Sequence, residues 1–298
     1  MPESTMLEEL RPGGFAVAYR MLGSVSEAED IVQEALLRLH IRIREGERIE
    51  SPRAYLSTVV TRLCIDQLRS ARVRRESYVG EWLPEPLVDD VRSDPAGQAE
   101  VADSLSLAFL VLLENLTPEQ RAAFLLREVF DYPYQEIADI IGTSEDNTRQ
   151  LVSRARKHVD AGRPRFEASE ERREQLASSF LAALGSGDLQ ALEELLAHDV
   201  VVHADGGGRV RTIVRPVYGR SRVARLLLRV MQAGERFGGW VFHQVRVNGQ
   251  PGFMRTDAAG KLTEVLVLDI ADGHIQAVRA IANPDKLRHL EEAPGTSR

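Results

Sequence analysis

Six polar residues between positions 149 and 157 have the side-chain types that bind DNA. At about 100° per residue along a helix, five of them share one face: Arg149, Gln150, Ser153, Arg156 and Lys157, with Arg154 just beyond. Guanidinium, ammonium, amide and hydroxyl groups reach phosphates and base edges. The opposite face is mostly apolar, with Thr148, Leu151, Val152, Ala155 and Val159. An ordinary solvated helix face fits the same pattern, so periodicity alone leaves both interpretations open.

A second helix is predicted immediately before this one. Its apolar residues recur at i, i+3, i+4 and i+7: Tyr134, Ile137, Ala138 and Ile141. Gly142 interrupts the pattern, and Ser144 can cap the helix that follows. Two helices at this spacing predict a helix-turn-helix, whose second helix enters the major groove of DNA.

Composition indicates a globular chain of two or three domains. The 298 residues include 43% hydrophobic and 28% charged residues, with a net charge of −7. Although that total argues against nucleic acid, the charge is unevenly distributed: residues 38–75 carry +6, residues 76–103 carry −7 and residues 149–165 carry +5. Two basic segments separated by an acidic connector predict two surfaces that contact polyanions.

Several classes of protein are excluded. A single cysteine, Cys64, rules out a disulfide framework and a multi-cysteine metal site, so we expect no metal and no cofactor. The N-terminus lacks the basic start and apolar run of a secretory signal, and no apolar stretch approaches the roughly 20 residues of a membrane helix. We therefore expect a cytoplasmic protein.

After about residue 170 the pattern changes to that of an α+β domain. The pattern predicts three helices, over 174–184, 189–196 and 220–231. It predicts strands over 200–203, 210–214, 240–247, 262–270 and 274–281. Candidates for general acid–base catalysis by residue type are His203, Asp205, His243 and Asp269. Nothing shows that any two of them converge, so the expectation is that the protein is not an enzyme. Gly206–Gly208 is not a phosphate loop, because no Lys-Ser/Thr follows it.

Three blocks of sequence resemble bacterial sigma factors of the extracytoplasmic-function class. They are Glu27-Ala-Glu-Asp-Ile-Val-Gln-Glu34, the block from Pro52-Arg-Ala-Tyr-Leu to Ile65-Asp-Gln-Leu-Arg69, and Tyr134-Gln-Glu-Ile-Ala-Asp-Ile-Ile-Gly-Thr-Ser144 followed by Ser153-Arg-Ala-Arg156. The resemblance implies a region-two domain over 5–75, an acidic linker over 76–103 and a region-four helix-turn-helix domain over 104–168.

The resemblance also implies partners and contact residues. Core RNA polymerase would be bound through its β′ clamp helices, by Asp30, Gln33 and Glu34, and through its β subunit. Region two would engage the promoter −10 element with basic side chains, namely Arg62, Arg69, Arg72, Arg74 and Arg75. Tyr55 is either an aromatic platform there or part of the core. Region four would read the −35 element through its recognition helix, with Arg149, Gln150, Ser153 and Arg154 at the contact positions.

Three further motifs resemble the sigma J type, whose C-terminal SnoaL-like domain has the NTF2-like fold, here over 172–290. They are Trp82-Leu-Pro-Glu-Pro86, Asp205-Gly-Gly-Gly-Arg-Val210 and Asn283-Pro-Asp-Lys-Leu287. The resemblance implies contact between the linker and the domain through Trp82, Pro84, Asp205, Gly206, Gly207, Gly208, Asn283, Pro284 and Asp285. A flexible hairpin turn is the alternative for the glycines. The domain would then regulate the sigma factor in cis, without a separate anti-sigma factor.

Two other functions remain open from the sequence. One is a one-component regulator, in which a helix-turn-helix is joined to a ligand-binding domain and acts without polymerase; it leaves residues 5–75 unexplained. The other is a SnoaL-type enzyme carrying an unrelated N-terminal module.

Overall fold

The computed structural model describes residues 3–75, 78–89, 104–162, 169–235 and 238–291. It divides into two compact units. Unit 1 comprises Met1–Ser77 and Phe109–Arg163, and unit 2 comprises Tyr78–Ala108 and Pro164–Arg298. The chain thus leaves unit 1 after three helices, passes through unit 2 and returns. Residues 78–108, which the sequence divides between the linker and the region-four domain, belong to unit 2.

The first three helices of unit 1 pack on one another: α1 (Glu3–Leu22), α2 (Val25–Arg44) and α3 (Pro52–Arg75). Ser24 starts α2, because its Oγ accepts a hydrogen bond from the backbone N–H of Glu27 at 3.2 Å. One face of α2 is buried, formed by Val25, Ala28, Val32, Ala35 and Leu39. The opposite face of α2 is therefore left to solvent or to a partner.

Four shorter helices follow among the described residues: α4 (Leu107–Leu113), α5 (Pro118–Glu128), α6 (Tyr134–Ile141) and α7 (Glu145–Gly162). Thr117 and Gln120 form a capping box at the start of α5. Gly142 ends α6 with φ 75°, a left-handed conformation that favours glycine. Helices α5, α6 and α7 share a core of Ala123, Leu126, Ile137, Ile140 and Val152. Helices α6 and α7 form the expected helix-turn-helix.

Arg121 joins α5 to the first helices of unit 1. Its side chain is almost fully buried and donates to the carbonyl oxygens of Leu113 at 3.0 Å and Met21 at 2.6 Å. It also forms an ion pair with Glu114 at 2.8 Å. Burial lowers the pKa of Arg121 to about 9, so the side chain remains a cation at neutral pH. A buried cation with this set of partners holds the two groups of helices together.

Unit 2 is built on a seven-stranded sheet of order β1-β4-β5-β6-β7-β2-β3. The strands are β1 (Val88–Asp89), β2 (Leu196–Asp205), β3 (Val217–Tyr218), β4 (Val241–Val247), β5 (Gln250–Thr256), β6 (Leu262–Ala271) and β7 (His274–Ile281). Neighbours are antiparallel except β2 and β7, which are parallel. Strand β1 comes from the linker, pairs with β4 and forms one edge of the sheet.

Four helices accompany the sheet: α8 (Glu170–Ser186), α9 (Leu189–Leu195), α10 (Arg220–Glu235) and α11 (Pro284–Glu291). The first three pack with the sheet around a core in which Phe180 stacks on Phe253 at 6.3 Å between ring centroids. This mixed sheet with helices is the α+β, NTF2-like architecture expected from the sequence. In the described part of the chain, no helix is long and apolar enough to cross a membrane.

Two details of the sequence-based assignment are wrong. Residues 210–214 do not form a strand. The turn at Gly206 is closed by hydrogen bonds from the backbone N–H groups of Arg209 and Val210, and β2 pairs instead with Val217–Tyr218. The sequence pattern predicts no strand at β5, whose Pro251 and Gly252 are residue types disfavoured within strands. The actual turn is Asn248–Gly249, with φ 53° and 71°, which connects β4 to β5 as a two-residue hairpin.

Candidate contact sites for DNA, polymerase and the linker

The exposed face of α7 carries the six residues singled out from the sequence. All six side chains are exposed, whereas Thr148, Val152, Ala155 and Val159 are buried and Leu151 is half-buried against the core. The helical-wheel prediction therefore matches the burial along this helix. A basic, amide- and hydroxyl-bearing face opposite a packed face is the arrangement that a recognition helix needs.

Two arginines on this face are paired within the protein. Arg149 lies 2.5 Å from Glu145 and its guanidinium carbon is 4.3 Å from the centroid of the Tyr134 ring. Arg156 lies 2.5 Å from Glu128, and this hydrogen bond raises the pKa of Arg156. Both pairs are at the surface, where ion pairs contribute little net stability. A DNA phosphate or guanine could therefore replace either carboxylate at small cost.

Two of the basic residues predicted for region two contact the helices of region four. Arg62 donates from Nε to the carbonyl oxygen of Ile140 at 2.8 Å and from Nη2 to that of Asp139 at 2.9 Å. These carbonyls belong to the last turn of α6, where helix carbonyls lack internal partners and the helix dipole favours a cation.

The second is Arg69, which lies 2.7 Å from Glu119. Burial of Glu119 raises the pKa of its carboxyl, but the hydrogen bonds and charge of Arg69 outweigh it and the net pKa is lowered. The side chains of Arg72, Arg74 and Arg75 lie outside the described residues. Tyr55 is half-buried, with the Arg42 guanidinium carbon 5.5 Å from its ring centroid.

Asp30, Gln33 and Glu34 lie together on the exposed face of α2. Their i, i+3, i+4 spacing places the three polar groups side by side. Glu34 is paired with Arg38 at 2.7 Å, and both side chains are about half exposed. The three groups therefore form a solvent-facing acceptor surface that suits a cationic partner.

Asp205, at the end of β2, is the centre of a contact between the linker and the C-terminal sheet. Its carboxylate is fully buried and accepts hydrogen bonds from the Tyr78 hydroxyl at 2.6 Å and the Leu83 backbone N–H at 2.8 Å. It also accepts from the Gly207 backbone N–H at 3.0 Å and from Lys286 Nζ at 2.7 Å. A buried carboxylate with four donors is well compensated.

Lys286, in the first turn of α11, supplies the opposite charge. Besides Asp205, its ammonium contacts the carbonyl oxygen of Leu83. It also lies 4.1 Å from the ring centroid of Trp82 and 5.3 Å from that of Tyr78, within the range of cation–π interactions. Trp82 thus lies over a buried cation.

Asn283 completes this contact. Its Nδ2 donates to the Tyr78 hydroxyl at 2.9 Å, and a Cβ at Gly207 would lie only 2.2 Å from the same atom. Because Gly207 also has a φ of 57°, any side chain there would be excluded. We call Asp205, Asn283 and Lys286 the linker clamp, and residues 78–89 the linker segment.

Further contacts extend along the linker segment. His203 Nδ1 is 2.7 Å from Glu81, and His289 Nε2 is 2.9 Å from the carbonyl oxygen of Pro86. The side chain and backbone of Asn248 bond to the backbone of Leu87 at 2.9 and 2.7 Å. The segment ends in β1, which extends the sheet. The structure therefore holds the linker segment along its whole described length.

The structure brings together most, but not all, of the residues predicted for this contact. Pro84 is buried and Gly208 packs against Val79, and Gly206 forms the turn after β2. Pro284 is exposed, and Asp285 is paired with Arg209 at 3.2 Å rather than with the linker. The sequence did not identify Tyr78, Asn248 or Lys286, although Lys286 lies inside the Asn283-Pro-Asp-Lys-Leu287 motif.

The four candidate catalytic residues do not converge. His203 and Asp205 contact the linker segment, Asp269 is paired with Arg279 at 2.8 Å, and His243 is exposed on β4. None of them is among the described residues that line the large cavity of unit 2. The described residues also contain no group of three His, Cys, Asp or Glu side chains that could hold a metal ion.

Comparisons with known proteins agree with the division of the helical part of the chain into a region-two and a region-four domain. The Sigma-70 region 2 family matches residues 6–74, and the Sigma-70, region 4 family matches residues 106–159. The chain is 39% identical to the ECF RNA polymerase sigma factor SigJ of Mycobacterium tuberculosis in an alignment of 295 positions that covers 95% of this chain and 93% of that protein. It is 34% identical to a probable ECF RNA polymerase sigma factor of the same species, SigI, over 94% of this chain and 92% of that protein.

The similarity to SigJ extends to the structure and includes the C-terminal domain. The crystal structure of M. tuberculosis SigJ matches with a TM-score of 0.77 at 36% identity, covering 96% of this chain and 98% of that one. The resemblance stated from the sequence is confirmed, from the first helix to the sheet that holds the linker segment. The chain belongs to the extracytoplasmic-function family of RNA polymerase sigma factors.

Proposed function

We propose that this chain recruits core RNA polymerase to promoters, with region two engaging the −10 element and α7 reading the −35 element. Sigma factors act with core RNA polymerase and promoter DNA, and family membership extends that role to this chain. On α7, four exposed side chains have no hydrogen-bond partner in the described part of the chain: Gln150, Ser153, Arg154 and Lys157. These groups can bond to DNA without breaking an internal contact. The chain then acts in the cytoplasm with the polymerase.

The exposed acceptor surface of α2 is the proposed site for the β′ clamp helices, with further contacts to the β subunit elsewhere. A triple substitution of Asp30, Gln33 and Glu34 by alanine should abolish the complex with purified core enzyme. Substitution of Glu8 and Glu9, two exposed acids on α1, is the matched control and should leave the complex intact. Equal complex formation by both variants would remove α2 from the interface.

We further propose that the C-terminal domain regulates transcription in cis through the linker clamp, without a separate anti-sigma factor. One observation carries the proposal: a buried Asp205–Lys286 pair on the C-terminal domain bonds to the backbone and side chains of the linker segment. The linker segment belongs to the only chain connection between region two and region four. A domain that binds this connection can change how the two regions reach their DNA elements.

Binding of the linker segment to the C-terminal domain greatly shortens the distance that the connector between region two and region four can span. An extended chain spans at most about 3.5 Å per residue, so fixing the linker segment removes about 40 Å from the freely extensible connector. The −10 and −35 elements are separated by about 85 Å of duplex at 3.4 Å per base pair. We therefore expect the clamped form to be the less active one.

Truncation tests this regulation directly. Ending the chain after Ala282 removes Asn283 and Lys286, and ending it after Ser169 removes the whole domain. Run-off transcription with purified core enzyme is compared for both forms and the full chain. Different activities support regulation in cis, and identical activities in all three forms would contradict it.

The two alternative functions make different predictions. A one-component regulator would bind promoter DNA tightly without core polymerase in a gel-shift assay, whereas a sigma factor requires the polymerase. The match of residues 6–74 to sigma region 2 accounts for the segment that this alternative leaves unexplained. The enzyme alternative needs acid–base groups around a substrate, and the four candidates lie outside the cavity.

A further inference from the structure

Unit 2 contains a cavity of about 680 Å³ between the sheet, α10 and residues 210–213. Its walls are mainly apolar, including Leu184, Val202, Ile213, Leu227, Met231 and Phe242. Cavities of about 300–1,000 Å³ with mostly apolar walls and a few polar groups are the size and type that hold small molecules. The family matches and the sigma function assign nothing to this space.

Arg255, Thr263 and Glu264 form one polar corner of the cavity, and Arg211 and Thr212 also line it. Arg255 Nη1 lies 2.8 Å from Glu264 Oε2, and both side chains are only 12% exposed. Arg255 Nε donates to the Thr263 hydroxyl at 3.1 Å, and the guanidinium carbon is 4.0 Å from the ring centroid of Trp240. Two of the five N–H donors of Arg255 therefore have partners in the part of the chain that the structure describes, which leaves donors for another acceptor.

The charges in this corner restrict the ligand. Arg255 and Glu264 form a neutral pair in an apolar surrounding, and burial raises the pKa of Glu264 against the opposing effect of Arg255. Arg211, the other cation that lines the cavity, is an exposed residue. An anion bonded to Arg255 would therefore face the Glu264 carboxylate without a second buried cation among the described cavity-lining groups, and a buried unpaired charge is costly. A neutral molecule with one acceptor oxygen instead satisfies a free N–H of Arg255 and buries its apolar part.

We propose that this cavity binds a neutral, mainly apolar small molecule that carries a carbonyl or hydroxyl oxygen, with that oxygen bonded to Arg255. The Trp240 ring lies beside the guanidinium and provides a flat apolar surface next to the hydrogen bond. No residue of the linker clamp takes part in this site.

The cavity and the linker clamp lie on opposite faces of one strand. Side chains alternate along β2, so Val202 and Ala204 face the cavity while His203 and Asp205 contact the linker segment. The cavity wall at residues 210–213 also follows directly after the turn that contains Gly207. A bound molecule that shifts β2 or this turn would change how the linker clamp holds the linker segment. This coupling between the cavity and the clamp rests on the proposed regulation in cis, whereas binding in the cavity does not.

Binding is tested on the full chain with Prodan, a neutral naphthalene probe with a carbonyl group, by calorimetry. Saturable one-to-one binding is expected, with at least tenfold weaker binding to the cavity-filling variant Leu227→Trp. Tyr218→Trp adds the same side chain at an exposed position outside the cavity and should bind like the natural chain. No saturable binding, or equal binding to both variants, would overturn the site.

Two further measurements test the chemical class and the coupling. The double variant Arg255→Met/Glu264→Met removes the pair without leaving one charge unpaired, and should bind Prodan about tenfold more weakly. Stronger binding of the anionic probe anilinonaphthalene sulfonate than of Prodan would overturn the assignment of a neutral ligand.

The coupling is tested by transcription. Saturating Prodan should change run-off transcription by the natural chain at least twofold, but should not change run-off transcription by Leu227→Trp. Binding without this change would overturn the coupling alone, whereas identical transcription by the truncated forms would reject the proposed regulation.

Discussion

Tyr78 offers the sharpest test of the linker clamp, because its hydroxyl belongs to the linker segment and not to the domain that holds it. The hydroxyl donates to Asp205 at 2.6 Å and accepts from Asn283 at 2.9 Å. Burial and the Asp205 carboxylate raise the pKa of Tyr78 well above its usual value, so the group stays protonated and remains a donor. Tyr78→Phe removes both hydrogen bonds and keeps the ring that faces Lys286.

The expected cost follows from the partners that remain. A hydrogen bond to a charged group contributes about 1.5–3 kcal/mol, and after the substitution Asp205 still accepts from Leu83, Gly207 and Lys286. Because the carboxylate stays well satisfied, we expect the lower half of that range, about 1.5–2 kcal/mol. At 1.4 kcal/mol per factor of ten, the equilibrium between the clamped and the released linker should shift about 10- to 30-fold toward release.

Two assays read this shift. Hydrogen exchange of the linker segment, whose Leu83 N–H bonds to Asp205, should accelerate by about the same 10- to 30-fold factor. Run-off transcription with purified core enzyme should increase, because the released linker can extend between the two promoter elements. Tyr218→Phe is the matched control, since Tyr218 is exposed on β3 and its hydroxyl has no hydrogen bond to the described residues.

The combination of results decides which step of the reasoning fails. If exchange of the linker segment is unchanged in Tyr78→Phe, the hydroxyl does not stabilise the clamped state and the energy assignment is wrong. If exchange accelerates but transcription equals that of Tyr218→Phe, the clamp forms yet has no role in regulation. Reduced transcription with accelerated exchange would show that the clamped form is the active one.

Three other variants test unit 1. Arg149→Ala should weaken use of the cognate promoter by about 1–3 kcal/mol if this side chain reads a base, and an unchanged profile across −35 variants in run-off transcription would remove it from the contact set. Arg121→Met should lower the free energy of unfolding by about 3–5 kcal/mol, because it removes the cation beside Glu114, whose side chain is 20% exposed, and takes the Arg121 donor from two buried carbonyl groups; a loss below about 1 kcal/mol in urea unfolding would contradict this. Glu119→Gln should reduce stability above pH 5, because the lowered pKa of Glu119 means that its contribution is present above the unfolded pKa of about 4.3 and is lost as the pH falls through the folded value; the difference between Glu119→Gln and the natural chain should therefore shrink as the pH is lowered from 5 to 3, and a difference that stays constant over this range in urea unfolding would refute the assignment to Arg69.

The helical elements could be predicted because each carries local signals. The capping box at Thr117, the glycine after Ile141 and the apolar periodicity of α6 and α7 require no information from distant residues. The basic face of α7 follows from the same periodicity. Strand β5 could not be recovered in this way, since Pro251 and Gly252 are tolerated only because the hairpin with β4 and pairing with β6 fix their conformation.

The linker clamp was only partly predictable for a different reason. The motifs around Trp82, Asp205 and Asn283 indicated a contact, but the bonding pattern depends on residues more than 100 positions apart, such as Tyr78 with Asp205. Lys286 resembles an ordinary solvent-facing lysine on a short amphipathic helix, and no local pattern marks it as buried. Its burial is explained by Asp205, Leu83 and the two aromatic rings, which only the folded sheet brings together.

The contacts of Arg62 and Arg69 bear on how an acidic chain controls its affinity for DNA. While Arg62 donates to the last carbonyls of α6 and Arg69 pairs with Glu119, neither guanidinium is free for a phosphate. Both side chains are exposed, so exchanging these partners for DNA costs little, but it requires α3 to separate from α5 and α6. A partner that binds α2 and region four at a distance from each other would supply that separation. We therefore expect both arginines to contribute to DNA binding only in the complex with core polymerase, which agrees with a chain of net charge −7 that has little electrostatic attraction for DNA by itself.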